Sequence, residues 1–102
     1  MGLYVLEGHQ PVPCEDFMEW AVWMDGTGRQ LAFDSVGSAN LSTVFLGIDL
    51  GWLRPGGPIL FETLIFDDTR EHHLTGRRYQ TWDDAMAGHA MMLSVLRAQG
   101  SP

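Results

Sequence analysis

The sequence predicts an α+β fold, an antiparallel sheet of four to five strands with two amphipathic helices packed on one face. Three observations predict it. The segments 41–49 and 59–67 are apolar on both parities, the pattern of central strands. Residues 13–24 and 82–96 repeat their apolar side chains at helical spacing. The order of elements is strand, helix, three or four strands, helix, with no internal repeat and no low-complexity stretch.

Each element has its own signal. Leu3-Tyr4-Val5-Leu6 is short, aromatic and β-branched, and it stops at Gly8-His9-Gln10-Pro11, so a strand followed by a turn is expected. Pro13 suits a first helical position, Glu15 and Asp16 favour the positive helix end, and Phe17, Trp20, Ala21 and Met24 recur at i, i+3, i+4 and i+7. Asp25-Gly26-Thr27-Gly28 ends that helix. Leu31, Phe33 and Ser35 alternate with Ala32, Asp34 and Val36 as in a strand, and Gly37-Ser38-Ala39-Asn40 turns the chain back.

In the first central strand Val44, Leu46 and Ile48 face one way and Phe45 the other. In the second, Leu60, Leu64 and Phe66 oppose Ile59, Phe61 and Ile65. Residues 50–57, with Arg54-Pro55-Gly56-Gly57, read as a loop. Residues 67–77 read as an exposed polar excursion, and Arg78-Tyr79-Gln80 as a short returning strand. Thr81 followed by Asp84 resembles a capping box, and Trp82, Ala85, Met86, His89, Met92, Leu93 and Leu96 keep the helical period behind it. Residues 99–102 are expected to fray. With both helices on one face, the face holding Phe45, Phe61 and Ile65 is expected to be closed by a partner, a second subunit or a ligand, or else by loop 50–57 and the first strand.

At 102 residues and 45% hydrophobic side chains, the chain fills one domain, 1–102. Thirteen acids against six arginines, with no lysine, give a formal charge of −7. This argues against direct nucleic-acid binding, which needs a basic stripe. A single Cys14 excludes an intramolecular disulfide and implies a reduced, cytoplasmic setting. The longest apolar runs fall far short of the ~20 residues that span a bilayer, and no targeting segment is expected at the N-terminus. The charge is uneven: residues 1–51 hold seven acids against Arg29 alone, whereas residues 52–102 hold six acids and five arginines. An acidic half steers toward a basic partner or keeps a small protein soluble.

No metal site, cofactor site or catalytic set is expected. Glu71-His72-His73 is a dense ligand cluster, but adjacent histidines in an extended segment point apart, and no ligand spacing is completed. Cys14 lacks an activating partner. His89 lies on the apolar stripe of the last helix, which favours a hydrogen-bonded core histidine over a general base. Glu62 interrupts an apolar strand and needs a partner, which Arg77 or Arg78 would supply, either as a structural pair or as the polar anchor of a ligand pocket. Trp20 and Trp82 fall on core stripes, whereas Trp23 and Trp52 fall off them and are expected at a partner contact.

Three ordered motifs carry a family resemblance: Leu41-Ser42-Thr43-Val44-Phe45-Leu46-Gly47-Ile48-Asp49, then Gly57-Pro58-Ile59-Leu60-Phe61-Glu62-Thr63-Leu64-Ile65-Phe66, then Arg78-Tyr79-Gln80-Thr81-Trp82 with Gly88-His89. Over residues 29 to 97 the chain resembles a widespread family of small uncharacterised phage and prophage proteins, whose pattern is close to STVFLGLDH, GPPLLFET, RY and TW, then AGH. It departs from that pattern at Leu50, where the family has histidine, and at Gly57-Pro58-Ile59, which has one proline. The resemblance implies a virus-encoded accessory protein acting in a bacterial cytoplasm.

The reading that combines these signals is a non-enzymatic counter-defence protein that inhibits or sequesters a host component. One version is an anti-CRISPR-like inhibitor using Glu15, Asp16, Glu19, Trp23 and Trp52 against a host protein with a basic surface. The other is a nucleotide-signal sponge using Thr43, Glu62, Arg77, Arg78 and Tyr79 around a small anionic ligand, with a pocket between the subunits of a homodimer. The alternatives are a small enzyme acting on a phosphorylated or amide substrate through Glu62 or His89, and a virion assembly protein.

Overall fold

The computed structural model describes residues 2–26, 28–49, 56–67 and 73–100, with side chains described except at 73–75 and 100. The elements run β1 (Tyr4–Glu7), β2 (Gln10–Pro13), α1 (Phe17–Asp25), β3 (Gln30–Val36), β4 (Ala39–Phe45), β5 (Phe61–Asp67), β6 (His73–Tyr79) and α2 (Trp82–Gly100). The fold is α+β: strands β3-β4-β5-β6 form an antiparallel sheet, and β1 and β2 form a separate hairpin.

The two strands expected to be central are central, and their faces are set by register. Phe45 lies opposite Phe61, Thr43 opposite Thr63, and Leu41 opposite Ile65. All six are buried, beneath α2, which packs across β3 to β6 and adds Ala85 and His89 to the interior. Full burial of Phe45, Phe61, Leu41 and Leu60 contributes about 1.5–3 kcal/mol each. This reverses the expected assignment of faces: Phe45, Phe61 and Ile65 lie under the helix, whereas Val44, Leu64 and Phe66 lie half-buried on the other side with Phe33. On that face the helix approaches closely, with Ala85 packed against Phe45 and Phe61 and Gly88 against the Tyr79 ring.

Three local expectations change. Pro11-Val12-Pro13 is not the start of a helix but strand β2, paired with β1 through Leu6↔Pro11 and Val5↔Val12; proline is tolerated there because a two-stranded ribbon leaves an outer edge unpaired. The first helix instead begins at Phe17, capped by Asp16. The excursion at 67–77 becomes a strand from His73 onward, in register with β5. Within α2, Gly88 is buried and Met86 is 36% exposed, so the inward stripe is turned slightly from the expected one. The cap at Thr81 forms as expected, its Oγ1 accepting from Asp84 N–H at 3.1 Å.

Candidate functional site

A polar chain crosses the core at the threonine rung. Asp34 Oδ2 lies 2.8 Å from His89 Nε2, His89 Nδ1 lies 2.7 Å from Thr43 Oγ1, and Thr43 Oγ1 lies 2.5 Å from Thr63 Oγ1. β3, β4, β5 and α2 each contribute to it. With a neutral imidazole every proton has an acceptor: Thr63 donates to Thr43, Thr43 to Nδ1, and Nε2–H to the Asp34 carboxylate. Carboxylate, imidazole and hydroxyl stand in the order of a hydrolytic triad. The hydroxyl, however, is fully buried, bonded on both sides, and His89 is only 4% exposed. The arrangement is built to satisfy buried polar groups, so His89 is the hydrogen-bonded core histidine that the helical stripe predicts.

Of the residues expected around an anionic ligand, Arg77, Arg78 and Tyr79 border one cleft beside α2, and Thr43 and Glu62 do not. Thr43 belongs to the buried chain. Glu62 and Arg78 form a cross-strand pair, Arg78 Nε donating to Glu62 Oε2 at 3.0 Å, on the sheet face away from α2. Arg77 and Tyr79 lie on the α2 side, in register with Thr63 and Phe61. Tyr79 packs on the helix so closely that a Cβ at Gly88 would overlap its ring. A strand's alternation sends Arg77 and Arg78 to opposite faces, yet both border one cleft with Tyr79, so three of the five residues share a cleft while Thr43 and Glu62 lie apart from it.

The acidic segment is held together by α1. Asp16 Oδ1 accepts from Met18 N–H at 2.9 Å and Glu19 N–H at 3.1 Å, so this carboxylate is an N-cap. Glu15 and Glu19 are exposed beside it. Trp23, expected to be exposed, is half-buried and stands edge-on to Phe45 with ring centroids 5.6 Å apart. Its neighbours on the inward face are Trp20, whose Nε1–H donates to Gly47 O at 2.9 Å, and Met24. Gly47 is at φ +75°, which favours glycine, and a Cβ there would displace the end of the Met24 side chain. The docking rotates α1 so that Phe17, Met18 and Val22 are 62%, 68% and 71% exposed. Trp52 lies outside the described residues.

No family model, curated protein or solved structure matches this chain. Among the described residues, no group of three or more His, Cys, Asp or Glu is placed to hold a metal ion, and no helix is long and apolar enough to cross a membrane. Sequence reasoning missed Asp34, Thr63 and the outer face of α1. Thr63 was legible in part: Thr43 and Thr63 are the only polar residues on the apolar parity of strands 41–45 and 61–65, which marks a shared buried rung.

Proposed function

We propose that this protein is a non-enzymatic binding protein that occupies a basic, partly apolar surface of another protein through the outer face of α1. One observation carries the reading. Phe17, Met18 and Val22 are 62–71% exposed, on a nine-residue helix whose only polar residues are Glu19 and Asp25 and which buries no residue fully. A helix apolar on all sides is normally enclosed. Here the inner side meets the core through Trp20, Trp23 and Met24, and the outer side is left for a partner. Charge complementarity specifies the partner: residues 1–28 contain no arginine or lysine, and Glu15 and Glu19 flank the apolar side chains. In the setting that the phage resemblance implies, the partner is a host protein whose basic surface ordinarily meets an anion, and occupying that surface inhibits it.

The test is capture of host proteins from a bacterial lysate, with identification of what is retained. Retention of a basic protein that weakens steeply between 50 and 300 mM salt, and is lost in Glu15→Lys/Glu19→Lys and in Met18→Ser/Val22→Ser, supports the reading. Retention unchanged in both variants refutes it. Asp16 is kept in both, because it caps the helix and its loss would weaken the first turn.

A further inference from the structure

The seam between β6 and α2 has the features of a second binding surface, separate from α1. β6 is an edge strand: β5 pairs with one side of it, and among the described residues no strand pairs with the other. An edge presents a row of outward N–H and C=O groups to any extended chain. Beside it two clefts of about 640 and 420 Å³ lie end to end, both lined by Arg77 and Met91. The first reaches Asp84 and the second reaches Gln99. Along a helix rising 1.5 Å per residue, that span is roughly 20 Å, the length of about six or seven extended residues.

The walls differ in chemistry along the trough. Met91 and Val95, one turn apart, are 53% and 50% exposed, and Ile65, Met92 and Leu96 floor the second cleft. Methionines repack readily around different aliphatic side chains. Arg77 stands where the two clefts meet, exposed, and makes no ion pair among the described residues; its neighbour Arg78 is taken by Glu62. The first cleft is also bordered by Arg78, Gln80 and Asp84, and the second is apolar apart from Arg77 and Gln99; in a chain of net charge −7, the Arg77 guanidinium at their junction is complementary to a carboxylate. Asp84 at the far end of the first cleft disfavours a second acid there.

We infer that the β6–α2 seam binds an extended acidic-aliphatic segment of another protein, added to β6 as a further strand, with a carboxylate on Arg77 and aliphatic side chains against Met91 and Val95. Backbone pairing supplies affinity and the alternate side chains supply selectivity. A second copy of this chain is a poorer occupant, because strand-to-strand pairing of β6 with itself brings two copies of Arg77 into one interface.

The experiment uses the full chain and an array of octapeptides that alternate threonine with Val, Ile or Leu and carry Asp, Glu, Gln or Lys at the fourth position. Members with Asp or Glu are expected to bind at least tenfold more tightly than those with Gln or Lys. Arg77→Gln is expected to erase that preference, and Val95→Asp to abolish binding while leaving the melting temperature within a few degrees of the parent. Absence of binding by every acidic member at 1 mM, or equal binding of Asp and Lys members, overturns the inference. A dimer in sedimentation at micromolar concentration that Val95→Asp dissolves also overturns it, since the seam is then occupied by a second copy.

Discussion

Replacing Thr43 by valine removes a single hydroxyl from the core and leaves the shape of the side chain almost unchanged. That hydroxyl joins two groups, His89 Nδ1 at 2.7 Å and the Thr63 hydroxyl at 2.5 Å, and neither reaches water: Thr63 is 0% and His89 4% exposed. Each stranded group costs about 1–3 kcal/mol, and valine's better fit to a buried strand position returns less than ~1 kcal/mol. The net loss is about 2–4 kcal/mol. For a chain of this length that is a fall in Tm of roughly 8–32 °C, at about 4–8 °C per kcal/mol. The double variant Thr43→Val/Thr63→Val deletes one of the two stranded groups, so it is expected to be more stable than Thr43→Val by about 1–2 kcal/mol although it carries one more substitution. Adding His89→Leu removes the remaining stranded nitrogen and leaves only Asp34, whose side chain is 38% exposed and can be solvated. Urea unfolding followed by tryptophan fluorescence measures all of these as a thermodynamic cycle. A Thr43→Val loss below ~0.5 kcal/mol, or a double variant equal to the sum of the singles, refutes the buried chain.

Three further outcomes follow from particular contacts. Gly88→Ala gains up to ~1 kcal/mol in helix propensity but drives a methyl into the Tyr79 ring, so a net loss of about 1–2 kcal/mol is expected in thermal unfolding, with partial recovery when Tyr79→Leu is added. Asp16→Ala removes the acceptor for two amides at the start of α1 and is expected to cost about 0.5–2 kcal/mol, with increased amide exchange at Met18 and Glu19. Glu62→Gln breaks a pair in which Arg78 is 54% exposed, and a loss under ~1 kcal/mol is expected; a loss above 2 kcal/mol in urea titration would mean that the carboxylate has another structural role.

The candidate surfaces were unequally legible in the sequence. Glu62 was expected to pair with one of two adjacent arginines, and the register selects Arg78 because it lies directly opposite on β5 and β6. His89 was expected to be a bonded core histidine, but its partners come from positions 34 and 43, with Thr63 joined through Thr43, and no local signal joins residues that far apart. The first helix was misread in rotation. Its residues are apolar on nearly every side, so spacing alone did not distinguish a Phe17 stripe from a Trp23 stripe. Contacts with Gly47 and Phe45 decided it.

By itself the sequence determined the α+β class, the two central strands, the alternation within them, the cap at Thr81 and the concentration of acid in the first half. These depend on local periodicity and on charges counted along the chain. The tertiary structure alone decided which face of the sheet the long helix covers, which side of the short helix remains bare, and that Arg78 rather than Arg77 pairs with Glu62. A period of two or of 3.6 residues fixes how side chains are arranged relative to one another within an element. It does not fix the side from which the next element arrives; here α2 lies over the Phe45/Phe61 face, with Ala85 in the core and Gly88 against the Tyr79 ring.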